Sequence, residues 1–241
     1  MRAHRFFCLE LAAGLVRLSG AEAHHLRHVL RLRPGQWVVL FDGQGKEAQA
    51  LIESIHQGQV QLLAQEPQWG RGELPVAVHV LQGVVKGDKF TTIAQQAAEL
   101  GASSLTPVFT ARGEVDSPSP LRQERWQRAA LSGAKSSRRA VLMDVRPALP
   151  LAEALCQPGP SHQKLLAWED SQQPWPALAS TAAVWLLIGP EGGLEPEEAA
   201  LAEQHGFKTF SLGPRILRAE TAAATALAVL GFLLERAGLP A

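Results

Sequence analysis

At 241 residues, 46% of them hydrophobic, the chain is long enough for one large domain or two modest ones and too apolar to be disordered throughout. Two cysteines, Cys8 and Cys156, cannot alone form a structural zinc site or a disulfide framework, so a reducing compartment, the cytoplasm, is expected. The 23 basic and 23 acidic residues cancel unevenly: residues 1–70 carry seven Lys/Arg against six Asp/Glu, 71–140 ten against six, and 141–241 six against eleven. A neutral total thus conceals a basic amino-terminal part and a basic middle, which suit either a polyanionic partner or an ordinary solvated surface.

Arg2 and Arg5 precede the apolar stretch FFCLELAAGLV, and Ala21-Glu22-Ala23 imitates a signal-peptidase site. Glu10 inside the stretch and Arg17 at its end argue against a secretory leader. After a first strand, Gly20–Arg31 reads as a short helix bearing His24-His25-x-x-His28 with Arg27 and Arg31. His24 and His28 lie one turn apart and could hold a metal, but no third ligand is near in sequence. A cationic or RNA-facing helix is preferred, and no metal is expected. Gln36–Asp42, Lys46–Ser54 and Gln59–Gln65 read as strands, which with one helix suggest a small β-barrel. Between the first two of these, Gly43-Gln44-Gly45-Lys46-Glu47-Ala48 fits a dinucleotide fingerprint in outline. That fingerprint needs a helix next, whereas a strand follows, and Asp42-Gly43 is a hairpin signal.

Gln68–Leu74 holds two glycines and loses periodicity, so a boundary is placed there, between a domain at 1–70 and one at 74–241. The rhythm then changes to strands at Val76–Val85, Ser104–Thr110, Lys164–Trp168, Ala183–Gly189 and Lys208–Leu212. Helices are expected at Gly87–Leu100, Pro120–Arg139, Pro196–His205 and Ala219–Ala237. Strands alternating with helices predict an α/β domain with a mostly parallel sheet. The longest apolar run, Ala222–Leu234, is shorter than the ~20 residues that span a bilayer. No membrane segment is expected; the run reads as a buried helix or an oligomer interface.

Two loops carry the chemical signal. Gly189-Pro190-Glu191-Gly192-Gly193 closes the strand AVWLLIG and leads into a helix. Its glycines at a strand's carboxyl end allow close approach of a ligand to the backbone, although the same residues suit a plain strand–turn–helix. Leu212-Gly213-Pro214-Arg215-Ile216-Leu217-Arg218 ends the next strand before a long helix. Two such loops suggest one cleft walled by both.

GPEGG followed by LGPRILRAETA closely resembles the signature of the ribosomal RNA small-subunit methyltransferase E family of the SPOUT superfamily. EAHHLRHVLRLRPGQ at 22–36, KGDKF at 86–90, AAELG at 97–101 and ERWQRAALSGAKSSRR at 124–139 match in order, so the resemblance covers nearly the whole chain. It implies an amino-terminal PUA-like β-barrel, a carboxyl-terminal trefoil-knotted domain, a homodimer, and methylation of a uridine N3 in 16S ribosomal RNA from S-adenosylmethionine. Pattern alone would not suggest a knot. The cofactor-binding residues implied are Gly189, Pro190, Glu191, Gly192, Gly193, Leu212, Gly213, Ile216, Leu217 and Arg218. The chain departs from the family pattern at Glu195, at Ser132–Ser136 and at Met143, where Ser, EA-x-x-Q and Pro are usual.

A sulfonium methyl is already activated, whereas uracil N3 is a poor nucleophile until its proton leaves. A base or a cation that stabilises the uracil anion is therefore required. Arg112, just past a strand end, and then Arg138 are the catalytic candidates, with phosphate binding or a surface ion pair as the plainer alternative. Arg2, Arg5, His25, Arg27 and Arg31 are candidates for gripping RNA. The rival reading is a non-catalytic RNA-binding protein with a degenerate knotted domain, which cofactor binding would separate.

Overall fold

The computed structural model describes residues 3–56, 58–113, 118–178 and 181–237. Two compact units emerge: Met1–Glu73 with Arg138–Leu142, and Leu74–Ser137 with Met143–Ala241. Arg2 lies outside the described residues.

The first unit runs β1 (Arg5–Phe7), β2 (Gly14–Leu18), α1 (Gly20–His24), β3 (Trp37–Phe41), β4 (Lys46–His56), β5 (Gln59–Ala64) and β6 (Gln68–Trp69). The strands form a six-stranded sheet in the order β1-β3-β4-β5-β2, with β6 on β4. β1 and β3 are parallel; the other neighbours are antiparallel. Alternation sorts the faces. Val38 and Leu40 of β3 and Ala48, Ala50 and Ile52 of β4 pack on Phe6, Leu26, Val60 and Leu62 in one core. The expected helix 20–31 is not uniform: His25–Val29 widens into a π-helical turn, with Leu30 N donating to His25 O at 3.0 Å.

The segment Arg138–Leu142 returns to this unit from far along the chain, with no compositional signal to mark it. Arg139, 2% exposed, donates to Glu73 Oε2 from Nε (2.9 Å) and Nη2 (2.7 Å). Leu142 N donates to Gly43 O at 3.0 Å, and Gly45 N to Ala140 O at 3.2 Å. The GQG segment is therefore a hairpin turn with a structural partner. Asp42 Oδ1 accepts from Gln44 N (2.7 Å) and Lys46 N (3.0 Å), and Gly43 and Gly45 have φ of 78° and 115°.

The second unit comprises β7 (Ala77–Gly83), α2 (Lys89–Glu99), β8 (Ser104–Phe109), α3 (Pro120–Ser137), β9 (Asp144–Val145), β10 (Leu149–Pro150), α4 (Leu151–Leu155), β11 (Gln163–Ala167), β12 (Ala183–Ile188), α5 (Pro196–Gln204), β13 (Lys208–Phe210) and α6 (Ala219–Arg236). Its strands form one sheet, β10-β8-β7-β12-β11-β13 with β9 on β8, and every ladder is parallel. β12, AVWLLI, is buried at all six positions, the mark of a central parallel strand covered on both faces. Val184, Leu186 and Ile188 join the core under α2, α3 and α6, while Ala183, Trp185 and Leu187 join the core under α4 and α5. α2 and α3 pack so closely that a Cβ on Gly133 would run into Gln95 O and Ala98. Within Ser132–Ser136, Gly133 thus serves helix packing, with Ala134 buried beside it.

The connection from β7 goes to β8 on one side, and that from β12 goes past β11 to β13 on the other. Open α/β sheets hold ligands at the carboxyl ends of their parallel strands.

Candidate functional site

Three strand ends of the second unit frame a cleft of about 570 Å³. β12 delivers Gly189, Pro190, Glu191 and Gly193; the loop after β13 delivers Leu212, Gly213, Ile216 and Leu217; β11 delivers Ala167, Trp168 and Glu169. The first two groups are sequence candidates that the fold brings together. Gly192 and Arg218 border these loops without lining the cleft: Gly192 faces the Arg112 side chain, and Arg218 is the residue before α6.

The Gly189–Gly193 loop is held from below. Gln82, fully buried on β7, donates from Nε2 to Gly189 O at 3.0 Å. A Cβ on Gly83 would stand 2.5 Å from Pro190 N, so only glycine lets the loop lie across β7. Glu191 accepts from Lys89 Nζ (2.8 Å) and Lys86 N (3.2 Å), which ties the KGDKF segment to the loop. Burial alone would raise the Glu191 carboxyl, but the hydrogen bonds and charge of Lys89 and the nearby amides hold it below its ordinary value. Its lining position is thus partly that of an anchor.

Glu195, where the resemblance expects Ser, precedes α5 and takes part in a reciprocal cap: its N donates to Glu198 Oε2 at 3.0 Å. Glu198 Oε1 accepts from Ala111 N at 2.8 Å, and Glu195 Oε1 lies 3.8 Å from Arg112 Nε. Arg112 Nη1 donates to Gly192 O at 3.2 Å, so this half-exposed guanidinium stands beside the glycine loop. Arg138 belongs to the first unit.

Glu169 was not anticipated. A Cβ on Gly193, at φ 70°, would run into its carboxylate, so the acid lies directly on the loop's backbone. The missed signal was a third strand end, Ala167-Trp168-Glu169, which carries no glycine. Trp168 and Glu220 each leave a buried polar atom, Nε1 and Oε2, without a partner among the described residues. The cleft so combines glycine backbone, an apolar wall with Ile216 90% exposed, an acid and an unused indole donor. That set fits a ligand with an apolar ring, hydroxyl groups and positive charge.

In the first unit, Arg5 is 8% exposed and paired with Glu47 at 2.8 Å. The His25 ring lies edge-on to Phe6 at 6.0 Å. Arg27 is half-buried, and Arg31 is exposed with φ 52°. The His24 and His28 rings lie 4.7 Å apart, but no group of three potential ligands gathers around a metal position among the described residues. Among the same residues no helix is long and apolar enough to cross a membrane.

Comparison with known proteins agrees with this geometry. A profile of the RNA methyltransferase domain matches residues 72–231, and one of the RNA methyltransferase PUA domain matches residues 18–64. The chain is 32% identical over 231 residues to ribosomal RNA small subunit methyltransferase E of Bacillus subtilis, covering 90% of each chain. It is 34% identical over 232 residues to the protein of that name from Synechocystis, covering 94% of this chain and 76% of the relative. A crystal structure of ribosomal RNA small subunit methyltransferase E from Neisseria gonorrhoeae, bound to S-adenosyl methionine, superimposes with a TM-score of 0.90 at 30% identity, over 96% of this chain and 98% of that one.

Proposed function

Because this chain belongs to the ribosomal RNA small subunit methyltransferase E family, we propose that it methylates N3 of a uridine in 16S ribosomal RNA with S-adenosylmethionine. The carrying observation is the single cleft walled by the carboxyl ends of β11, β12 and β13. When bound there, S-adenosylmethionine supplies a sulfonium methyl that needs no further activation. Backbone groups of Gly189–Gly193 and Leu212–Leu217 would hold it, Ile216 and Leu217 would offer an apolar wall, and the Glu169 carboxylate would offer an acceptor for hydroxyl or amino groups.

The chain's own chemical task is to make N3 nucleophilic. Arg112, aligned by Gly192 O and Glu195, places a permanent positive charge at the cleft's edge, where it favours the uracil anion left when the N3 proton passes to solvent. Arg138 is the second candidate for that charge, with phosphate binding as its alternative role. Arg2, Arg5, His25, Arg27 and Arg31 hold the RNA backbone; exposed Arg31 is best placed for a phosphate and buried Arg5 supports from beneath. The first unit acts as a PUA-like barrel over residues 1–70, and the second, residues 74–241, as a trefoil-knotted domain in a cytoplasmic homodimer. α6 supports the dimer: Leu227, Leu230 and Leu234 face the core, yet Val229 and Phe232 remain 37% and 56% exposed.

Calorimetry with S-adenosylmethionine on the parent and a folded Gly213→Val variant tests the cleft. The variant forces a β-branched residue to φ 105° and is expected to lose binding. Unaltered affinity would remove the cleft from the proposal, and a parent that binds no cofactor would favour the inert RNA-binding alternative. Mass mapping of 16S RNA from cells with and without the protein tests the N3 methyl directly.

A further inference from the structure

We propose that the outer face of the first unit's sheet is a subsite for one unpaired RNA nucleotide, its base stacked on Trp69 and its phosphate held by Arg71 and Arg138. The proposal rests on the reading of the chain as an RNA methyltransferase and adds where, and in what form, the substrate is gripped outside the methyl-transfer cleft.

Alternation creates the face. The residues of β3 and β4 that do not enter the core point the other way, and the register lines up Arg5, Val39 and Gln49 across β1, β3 and β4. Gln65 N extends the row by donating to Gln49 O at 2.8 Å. These residues line a groove of about 1060 Å³, closed on one side by Gln68 and Trp69 and reached by Arg71 and Arg138.

Trp69 is 74% exposed, an unusual state for the largest apolar side chain, yet it is firmly mounted. It is paired with Lys46 across β4 and β6, and the next residue, Gly70, donates to Gly45 O at 2.8 Å. Its ring lies on Gly45 so closely that a Cβ there would come within 2.7 Å, and Lys46 Nζ stands 5.8 Å from the ring centroid. A rigid indole with cationic company is a platform for a base, because every base has a π-face and stacking needs no particular sequence. Bases inside a duplex have both faces occupied, so the platform selects an unpaired one.

The charges suit the rest of a nucleotide. Arg5 is cancelled by Glu47, but neither Arg71 nor Arg138 has a carboxylate partner among the described residues. Against them and Lys46 stands Glu66, leaving the groove positive. Arg138 holds a left-handed backbone, φ 67°, rare for a residue with a long side chain. The Arg139–Glu73 pair and the bond from Leu142 to Gly43 follow directly after it, and backbone strain of this kind is often found where a side chain must be aimed. Arg5, 8% exposed in its side chain, lies beneath the groove, its buried Nε without a hydrogen-bond partner among the described residues. The amides of Gln49, Gln65 and Gln68 can meet base edges as donor or acceptor.

The test uses the full-length protein and two fluorescently labelled probes, a twelve-nucleotide single-stranded RNA and an RNA hairpin with a fully paired stem and a capped, stable loop. Anisotropy is expected to show Trp69→Ala weakening the single-strand probe by about tenfold, the effect of losing one base stack. Trp69→Phe should recover most of it, and Arg71→Ala should weaken binding and flatten its salt dependence. Affinity for S-adenosylmethionine, measured in parallel, should not move. A Trp69→Ala variant that binds the single strand as the parent does, or loses hairpin affinity equally, overturns the subsite. So does a variant that loses small ribosomal subunits while keeping naked RNA, which would make the face a protein contact. Failure of the parent to bind cofactor or methylate RNA would instead strike the functional reading and leave the nucleotide-binding result standing.

Discussion

Gly43-Gln44-Gly45 and Gly189–Gly193 both follow strands whose side chains are largely buried, yet one turns a hairpin and the other walls a cleft. After Gly45 the chain reverses into β4, and antiparallel pairing with β3 consumes the backbone groups beside the turn. After Gly193 it enters α5, while β12 ends between two parallel neighbours. A parallel strand must stop with its carboxyl end open, since its partner arrives by a crossover from the far edge. Glycines in a turn thus acquire binding value from the sheet type around them, and the glycines themselves do not announce it.

The sharpest way to break this comparison is Gly83→Val. Its Cβ would meet the backbone of Pro190, which cannot swing aside as a side chain can. Overpacking of this kind costs about 1–3 kcal/mol, and cofactor affinity should fall at least about tenfold in protein that remains folded by circular dichroism. Retained affinity would mean that the loop's seat on β7 is irrelevant to the cleft.

Gly45→Ala is the matching change in the hairpin. Alanine at φ 115° should cost about 1–2 kcal/mol of stability, seen as a lower melting temperature, and leave S-adenosylmethionine binding unchanged. Loss of cofactor affinity in this variant would erase the distinction between the two turns.

Gln82→Leu probes the support of the functional loop more gently. Losing the hydrogen bond to Gly189 O should cost about 0.5–1.5 kcal/mol, read by calorimetry as a severalfold loss of cofactor affinity with the fold intact.

The opposite end of the parallel sheet supplies a pH handle. His79 is lowered from 6.5 to about 4, first by burial and then by the charges of Arg146 and His162, against a smaller opposing effect of Asp144. Its Nδ1 lies 2.8 Å from Ser104 Oγ, and its ring lies 4.5 Å from that of Trp185. The folded state therefore prefers neutral His79. Its contribution is full above pH 6.5 and is lost as pH falls toward 4. Thermal melts between these values should show acid destabilisation, less in His79→Leu than in the parent; identical pH slopes would discount the histidine. The smallest expected effect is Lys89→Ala, which removes a partly exposed ion pair with Glu191 and should cost less than about 1 kcal/mol in a urea melt.

Much of the second unit was legible because its signals are local. The apolar run of β12, Gly101 after α2 and Pro196 opening α5 identify elements without reference to neighbours. Both glycine loops were legible for the same reason, and the family resemblance rests on them. The short strands β6, β9 and β10 were not, since two residues carry no period and exist only through partners. Likewise the helix expected over 20–31 could not disclose its π-helical turn, because a change to i+5 bonding over one turn leaves no mark on residue choice.

The sequence by itself determined the types of the longer elements, the change of rhythm near Gln68–Leu74 and the two loops that face the cleft, all properties of consecutive residues. Only the tertiary structure decided that Glu169 completes that cleft, that Gln82 and Gly83 seat its loop, and that Arg138–Leu142 returns to the first unit. Each depends on which strands become neighbours or where a distant segment docks. Hydrophobic periodicity tells a strand which face to bury, but the choice of partner is made by crossovers and by the packing of the whole sheet.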